Sequence, residues 1–163
     1  MPDRADDLIR QLEMRPHPEG GHFREVYRSS RTVRPDDGRP PRLSLTTIYF
    51  LLRAGEHSAL HRVQSDEVWH FYEGDPLELV WWDASSDAVT RAQLAEVDVS
   101  GTARPVATVP AGCWQAARST GRYTLVGCTV GPGFDFADFT MIRDDAEATG
   151  ELRRRHPELA DYI

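Results

Sequence analysis

Between Leu43 and Pro132 the chain is a succession of short apolar or alternating runs, rich in β-branched and aromatic residues and separated by turn formers. LSLTTIYFLLR, SALHRVQ, EVWHFYEG, LELVWWD, AVTRAQLA, VATVP, CWQAARS and YTLVGCTVG each read as a strand, and many short strands at such spacing predict a sandwich or barrel. Ahead of them, Asp3–Met14 predicts a helix: Leu8, Ile9 and Leu12 form one stripe, Asp3, Asp6 and Asp7 favour its start, and Pro16 and Pro18 stop it. Gly20-Gly21 signals a turn, followed by a strand with Phe23 and Tyr27 on one face and Arg24 and Arg28 on the other. Thr32–Arg42 reads as an exposed loop, either a plain hairpin connection or a lid over a pocket. FDFADFTMI is expected to return onto the barrel, and Asp144–Ile163 to form one or two short helices with RRRHPEL at the surface. No repeat or linker interrupts the pattern, so residues 1–163 are expected to form a single domain.

Charge narrows the partners. A formal net charge of −7 argues against nucleic acid, and gives no attraction to an anionic membrane. All 19 basic residues are arginine, so no lysine is present for a Schiff base or a phosphate loop. Cys113 and Cys128 lie in apolar runs without metal-like spacing and are expected as buried, reduced thiols. The N-terminal segment lacks the apolar stretch of a signal peptide, and no run is long enough to span a bilayer, so a cytoplasmic protein is expected.

The chemistry concentrates in GEHSALHRVQSDEVWHFYEG, where Gly55, His61, Val63, Glu67 and Gly74 are spaced G-x5-H-x-V-x3-E-x6-G. Strand parity puts His61 with Val63 on one face, and Glu67 with Trp69 and Phe71 on one face of the next strand. His70 and Tyr72 then point away, and His57 sits in the preceding turn, over a pocket mouth. A carboxylate buried among rings is costly unless partnered, so Glu67 calls for His61 or an arginine such as Arg24 or Arg28. Alternation allows only one of Trp81 and Trp82 inside and separates Trp114 from Gln115. His17 and His22 are expected at a turn or dimer surface, and His156 at the surface.

These residues carry a resemblance. The Gly55–Gly74 block resembles the first signature motif of the cupin superfamily, and Pro110-Ala-Gly112-Cys-Trp-Gln115-x3-Ser119 resembles the second. HRVQSDEVWHFYEGDPLEL, with His17-Pro18-Glu19-Gly20-Gly21 before it, is similar to a small cupin subfamily of unassigned activity. The resemblance implies an all-β fold, the double-stranded β-helix or cupin jelly roll, with the short N-terminal helix and helical tail outside it, and a homodimer. It implies a metal set at His61, Val63, Glu67 and Gln115, in which valine and a neutral amide replace two histidines. No metal ligand is therefore assigned and no cofactor is expected; a divalent-metal enzyme using His57, His61 and Glu67 is one alternative.

The leading expectation is a cavity for a small, carbohydrate-like molecule, isomerase- or epimerase-like if it is an enzyme. His61 is its general base, since Leu60-His61 is similar to the base region of metal-free cupin epimerases, and Glu67 is its orienting partner. His57, Gln115, Arg24 and Tyr49 are candidate substrate contacts, and Trp69 and Phe71 a stacking wall. Tyr49, Tyr72 and Tyr123 are candidate acids, with parity against Tyr72. The other alternative is a module that binds a small ligand without catalysis.

Overall fold

The computed structural model describes residues 3–98 and 101–163. Helix α1 (Arg4–Gln11) precedes strands β1 (Arg15–Pro16), β2 (His22–Arg28), β3 (Thr32–Val33), β4 (Arg42–Leu43), β5 (Thr46–Arg53), β6 (His57–Val63) and β7 (Asp66–Gly74). Then follow β8 (Leu77–Asp83), β9 (Ala88–Leu94), β10 (Val106–Val109), β11 (Trp114–Ser119), β12 (Tyr123–Gly131) and β13 (Phe139–Met141). Helix α2 (Ala146–Arg155) and a 3-10 segment, Pro157–Tyr162, form the tail. The expected all-β jelly roll is present. Its two antiparallel sheets run β1-β2-β5-β12-β7-β10 and β13-β6-β11-β8-β9, and β3 and β4 make a separate hairpin.

Alternation within each strand divides the apolar residues into layers. Phe50, Leu52, Trp69, Leu77, Leu79, Val126 and Cys128 fill the space between the sheets, with Trp81 at its edge. Leu60, Val80, Trp82, Trp114 and Ala116 point out of the second sheet and are covered by Ile142, Leu152, Leu159 and Tyr162. On the first sheet's outer face, Leu51, Tyr123 and Leu125 are covered by Ala5 and Leu8 of α1. Trp81 and Trp82 therefore part as alternation requires. RRRHPEL is largely at the surface as expected, with Arg153, Arg154, Arg155, Pro157 and Glu158 exposed, but Leu159 is wholly buried, as is Leu152 just before the run, and His156 reaches Asp87 at 2.8 Å.

Parity fails at two places, and both matter for the cavity. In β2 the register against β5 slips between Glu25 and Tyr27, so that Glu25 faces Ile48 and Tyr27 faces Thr47. One extra residue reverses the faces beyond it, which brings Arg28 inward with Phe23 and Glu25 and turns Tyr27 out. Between β6 and β11, Gln115 pairs His61 but Ala117 pairs Ser58. That slip turns Ser58 inward and His57 outward.

The Thr32–Arg42 segment is a hairpin connection held down at its far end. Arg39 Nη1 and Arg42 Nε donate to Asp138 Oδ2 at 2.9 and 2.8 Å, and Arg42 Nη2 donates to Oδ1 at 2.8 Å. The Arg42 and Arg39 guanidiniums hold the Asp138 carboxyl below the usual carboxylate range.

Candidate functional site

Inside one end of the roll lies a cavity of about 180 Å³. His61 and Val63 reach it from β6, Glu67 from β7, Ile48 from β5, and Cys128 and Val130 from β12. His17 and Glu19 enter from the β1–β2 loop, and Phe23, Glu25 and Arg28 from β2. Phe134 and Phe136 complete the wall. The buried residues His61, Glu19 and Glu67 mark the floor, while the exposed Arg15, Glu25, Arg28 and Phe136 mark the mouth.

The β1–β2 loop reaches this floor because it has two glycines. Gly20 has φ +111°, and a Cβ there would stand 2.2 Å from the His57 carbonyl oxygen; Gly21 has φ +66° and the same problem with the Leu51 carbonyl at 2.6 Å. Lying so close, the loop is bonded to β6: Ala59 N donates to the Glu19 carbonyl at 2.7 Å, and Ser58 Oγ donates to Glu19 Oε1 at 2.9 Å.

His61 is held in one tautomer. Its Nδ1 lies 2.8 Å from the Ala59 carbonyl, which accepts only, so the proton sits on Nδ1 and the Nε2 lone pair faces the cavity. Phe139 stacks on the ring, with centroids 5.5 Å apart. Burial lowers the pKa of His61, against the opposing pull of Glu67 and the Ala59 carbonyl.

Glu19 Oε2 lies 3.3 Å from His61 Nε2 and 3.5 Å from His17 Nδ1. His17 Nδ1 already accepts from the Glu19 backbone N–H at 3.2 Å. The His61 Nε2 lone pair is thus the one presented to Oε2, which favours a carboxyl that keeps its proton. Desolvation acts in the same direction, pushing Glu19 up to about 8 despite the Ser58 bond, and holding His17 down to about 4.

Glu67 is fixed differently. Gln115 Nε2 donates to its Oε2 at 2.6 Å, and the Gln115 Oε1 accepts from Trp69 Nε1 at 2.9 Å. Burial raises Glu67 to about 7, an effect that His61 partly offsets and Glu19 adds to. Burial likewise raises the Cys128 thiol.

The cavity thus gathers His61 and Glu67, one from each sheet, but most of the other sequence-derived contacts lie elsewhere. His57 faces outward, edge-on to Tyr162 at 5.8 Å, because of the β6 slip. Arg24 lies on the outer face and pairs with Glu13 at 3.1 Å; Tyr49, opposite it in register, meets Tyr72 edge-on at 6.0 Å. Trp69 is fully buried behind the cavity, and Phe71 packs at the edge of the inter-sheet core, so the aromatic wall is Phe23, Phe134 and Phe136 instead. Gln115 is a support for Glu67 beneath the cavity surface. Tyr123 Oη donates to Glu73 at 2.7 Å, and among the described residues no tyrosine lines the cavity. His17, placed at a turn or dimer surface by the sequence, lines the cavity with Glu19, and Gly20-Gly21 was the signal for their close approach.

The donor set does not suit the metal site of related folds. Val63 offers no donor, Gln115 spends its oxygen on Trp69 and its nitrogen on Glu67, and His57 is turned away. Among the described residues, no group of three or more His, Cys, Asp or Glu side chains is arranged to hold a metal ion. No helix among them is long and apolar enough to cross a membrane.

Comparison with known proteins agrees with this architecture. A protein from Shewanella oneidensis shares 35% identity, with 99% of this chain and 94% of that chain covered and a TM-score of 0.81. A hypothetical protein from Leishmania major shares 32% identity over 99% and 97% of the two chains, with a TM-score of 0.83. Oxalate decarboxylase from Bacillus subtilis, at 15% identity, 91% and 36% coverage and a TM-score of 0.59, shares the fold alone. No curated protein matches the chain significantly. Residues 6–142 match the family described as Cupin superfamily (DUF985), and the chain belongs to that family.

Proposed function

We propose that the cavity binds a small, polar, carbohydrate-like carbonyl compound, and that His61 acts on it as a general base in an isomerase- or epimerase-class reaction. One observation carries this reading: a buried imidazole, fixed as the Nδ1–H tautomer by Ala59, presents its Nε2 lone pair to a cavity that also holds neutral-leaning carboxyls. A base must be unprotonated at working pH, and the lowered pKa of His61 provides that. Fixed tautomer and low basicity together describe a group ready to accept a proton without first losing one. Glu67, held by Gln115, is a ligand contact in this reading and not the group that orients His61. Arg15 and Arg28 at the mouth suit an anionic substituent, with Glu25 limiting how much charge is free: Arg28 Nη2 and Nε already donate to it at 2.8 and 3.0 Å.

The test is exchange of carbon-bound hydrogen in deuterated water, followed by NMR on a set of small hydroxy-aldehydes and keto-sugars. The expected result is deuterium next to the carbonyl, reduced about 100-fold or more by His61→Gln. If ligands raise the melting temperature and none exchanges, the cavity is a binding site without catalysis.

We also infer that two copies pair along β2. Among the described residues, this strand beyond Phe23 has a neighbour on one side only, because β1 pairs with His22 and Phe23 alone, and Val26 and Tyr27 are 49% and 52% exposed on it. Sedimentation is expected to give a dimer, and the Val26→Arg/Tyr27→Asp double variant a monomer. A monomeric parent protein would refute the pairing.

A further inference from the structure

We propose that Glu19 is the proton donor that works beside His61, and that the substrate is an α-hydroxy aldehyde or ketone whose carbonyl moves between two neighbouring carbons. This rests on the reading of His61 as base, and adds the acid, the substrate class and the outcome. Glu19 Oε2 and His61 Nε2 are only 3.3 Å apart, and both line the cavity. An acid and a base that close meet groups on two neighbouring carbons of one ligand from the same side. A carbonyl oxygen and the hydrogen on the next carbon form such a pair. Inverting a single carbon instead requires a donor on the face opposite the base.

Three contacts fix the roles. Ser58 Oγ occupies Glu19 Oε1, so Oε2 is the oxygen left to act. Ala59 fixes the His61 proton on Nδ1, so Nε2 is the nitrogen left to act. His17 Nδ1, which accepts from the Glu19 backbone N–H at 3.2 Å, steadies the loop residue that carries this carboxyl.

The step balances without a co-reactant. His61 Nε2 takes the hydrogen from the hydroxyl-bearing carbon as a proton, and the electrons of that C–H bond form the carbon–carbon double bond. The carbonyl π electrons move to oxygen, which takes the proton of Glu19. An enediol, a Glu19 carboxylate and an imidazolium result. The carboxylate then removes the proton of the other hydroxyl, a new carbonyl forms there, and the imidazolium returns its proton to the carbon that was the aldehyde. Both side chains end as they began.

The experiment uses the full chain in deuterated water with D-glyceraldehyde, D-erythrose, D-ribose and their terminal phosphates, followed by NMR. Conversion of aldose to ketose, with solvent deuterium on the new hydroxymethyl carbon, is expected with at least one of them. Glu19→Gln is expected to lower that rate about 100-fold or more while the ligand still raises the melting temperature, and Glu19→Asp to recover part of it. The parent kcat/KM is expected to fall as pH passes about 8, where Glu19 of the free protein loses its proton. That limb decides the matter even if Glu19→Gln does not fold; a flat profile there overturns the assignment. Exchange with inversion at the hydroxyl carbon and no ketose overturns the role of Glu19 but leaves His61 as base. Absence of exchange with every compound overturns both.

Discussion

Replacing Gly20 by alanine is expected to destabilise the protein by about 3 kcal/mol or more, and to abolish ligand-induced stabilisation in the cavity. Two costs combine. The residue has φ +111°, a region that an L side chain enters only under strain. The new methyl would also stand 2.2 Å from the His57 carbonyl oxygen, which is backbone and has no rotamer to change. The loop must therefore lift off β6. Lifting breaks the bond from Ala59 N to the Glu19 carbonyl and the bond from Ser58 to the Glu19 carboxyl, at 2.7 and 2.9 Å. Gly38→Ala is the control: φ there is also positive, at +85°, but a Cβ meets nothing within 4 Å. Urea denaturation separates the two effects. A Gly20→Ala midpoint no lower than that of Gly38→Ala would show that contact with His57 does not hold the loop.

Stability should decline between pH 6.5 and 8, and Glu19→Gln should remove much of that decline. Glu19 rises from an ordinary 4.5 to about 8 and Glu67 from 4.5 to about 7, both chiefly by burial. A raised folded pKa means that the native state holds protons more tightly than the unfolded chain. Its contribution is complete below 4.5 and is lost as pH climbs through the folded value. His17 works in the opposite sense. Its pKa falls from 6.5 to about 4, so its contribution is complete above 6.5 and is lost as pH drops towards 4. The carboxyls and imidazoles oppose each other between 4.5 and 6.5, leaving the net fall above that range. At pH 8 the Gln variant is expected to be more stable than the parent by a few kcal/mol, and the gap to close near pH 4.5. Denaturation at four or five pH values checks this, and a gap independent of pH would contradict the buried, proton-bearing Glu19.

The fold was readable because its signals are local. Alternation within β6 and β7 directed His61 and Glu67 inward, and the same rule set Trp114 outside and Gln115 inside. The rule breaks where a strand gains a residue. A slip near Glu25 turned Arg28 into the cavity, and one between Gln115 and Ala117 exchanged Ser58 for His57. Nothing in the residue types at either position announces the extra residue. His17 and Glu19 were missed for another reason: they come from a loop, whose side chains have no period to follow. Their place depends on contact with a strand some forty residues later, a distance at which only the glycines hinted. Trp69 and Phe71 lie inside as parity required, but Trp69 is spent on core packing and on Gln115, and Phe71 at the core edge.

The family model matches only as far as residue 142, yet the folded unit continues past it. Leu152, Leu159 and Tyr162 roof Trp82, Trp114 and Val80, three side chains that would otherwise meet water as one greasy plate. Shortened versions that stop at residue 142 are thus headed for the insoluble fraction, and residues 143–163 belong to the smallest piece that can be handled on its own.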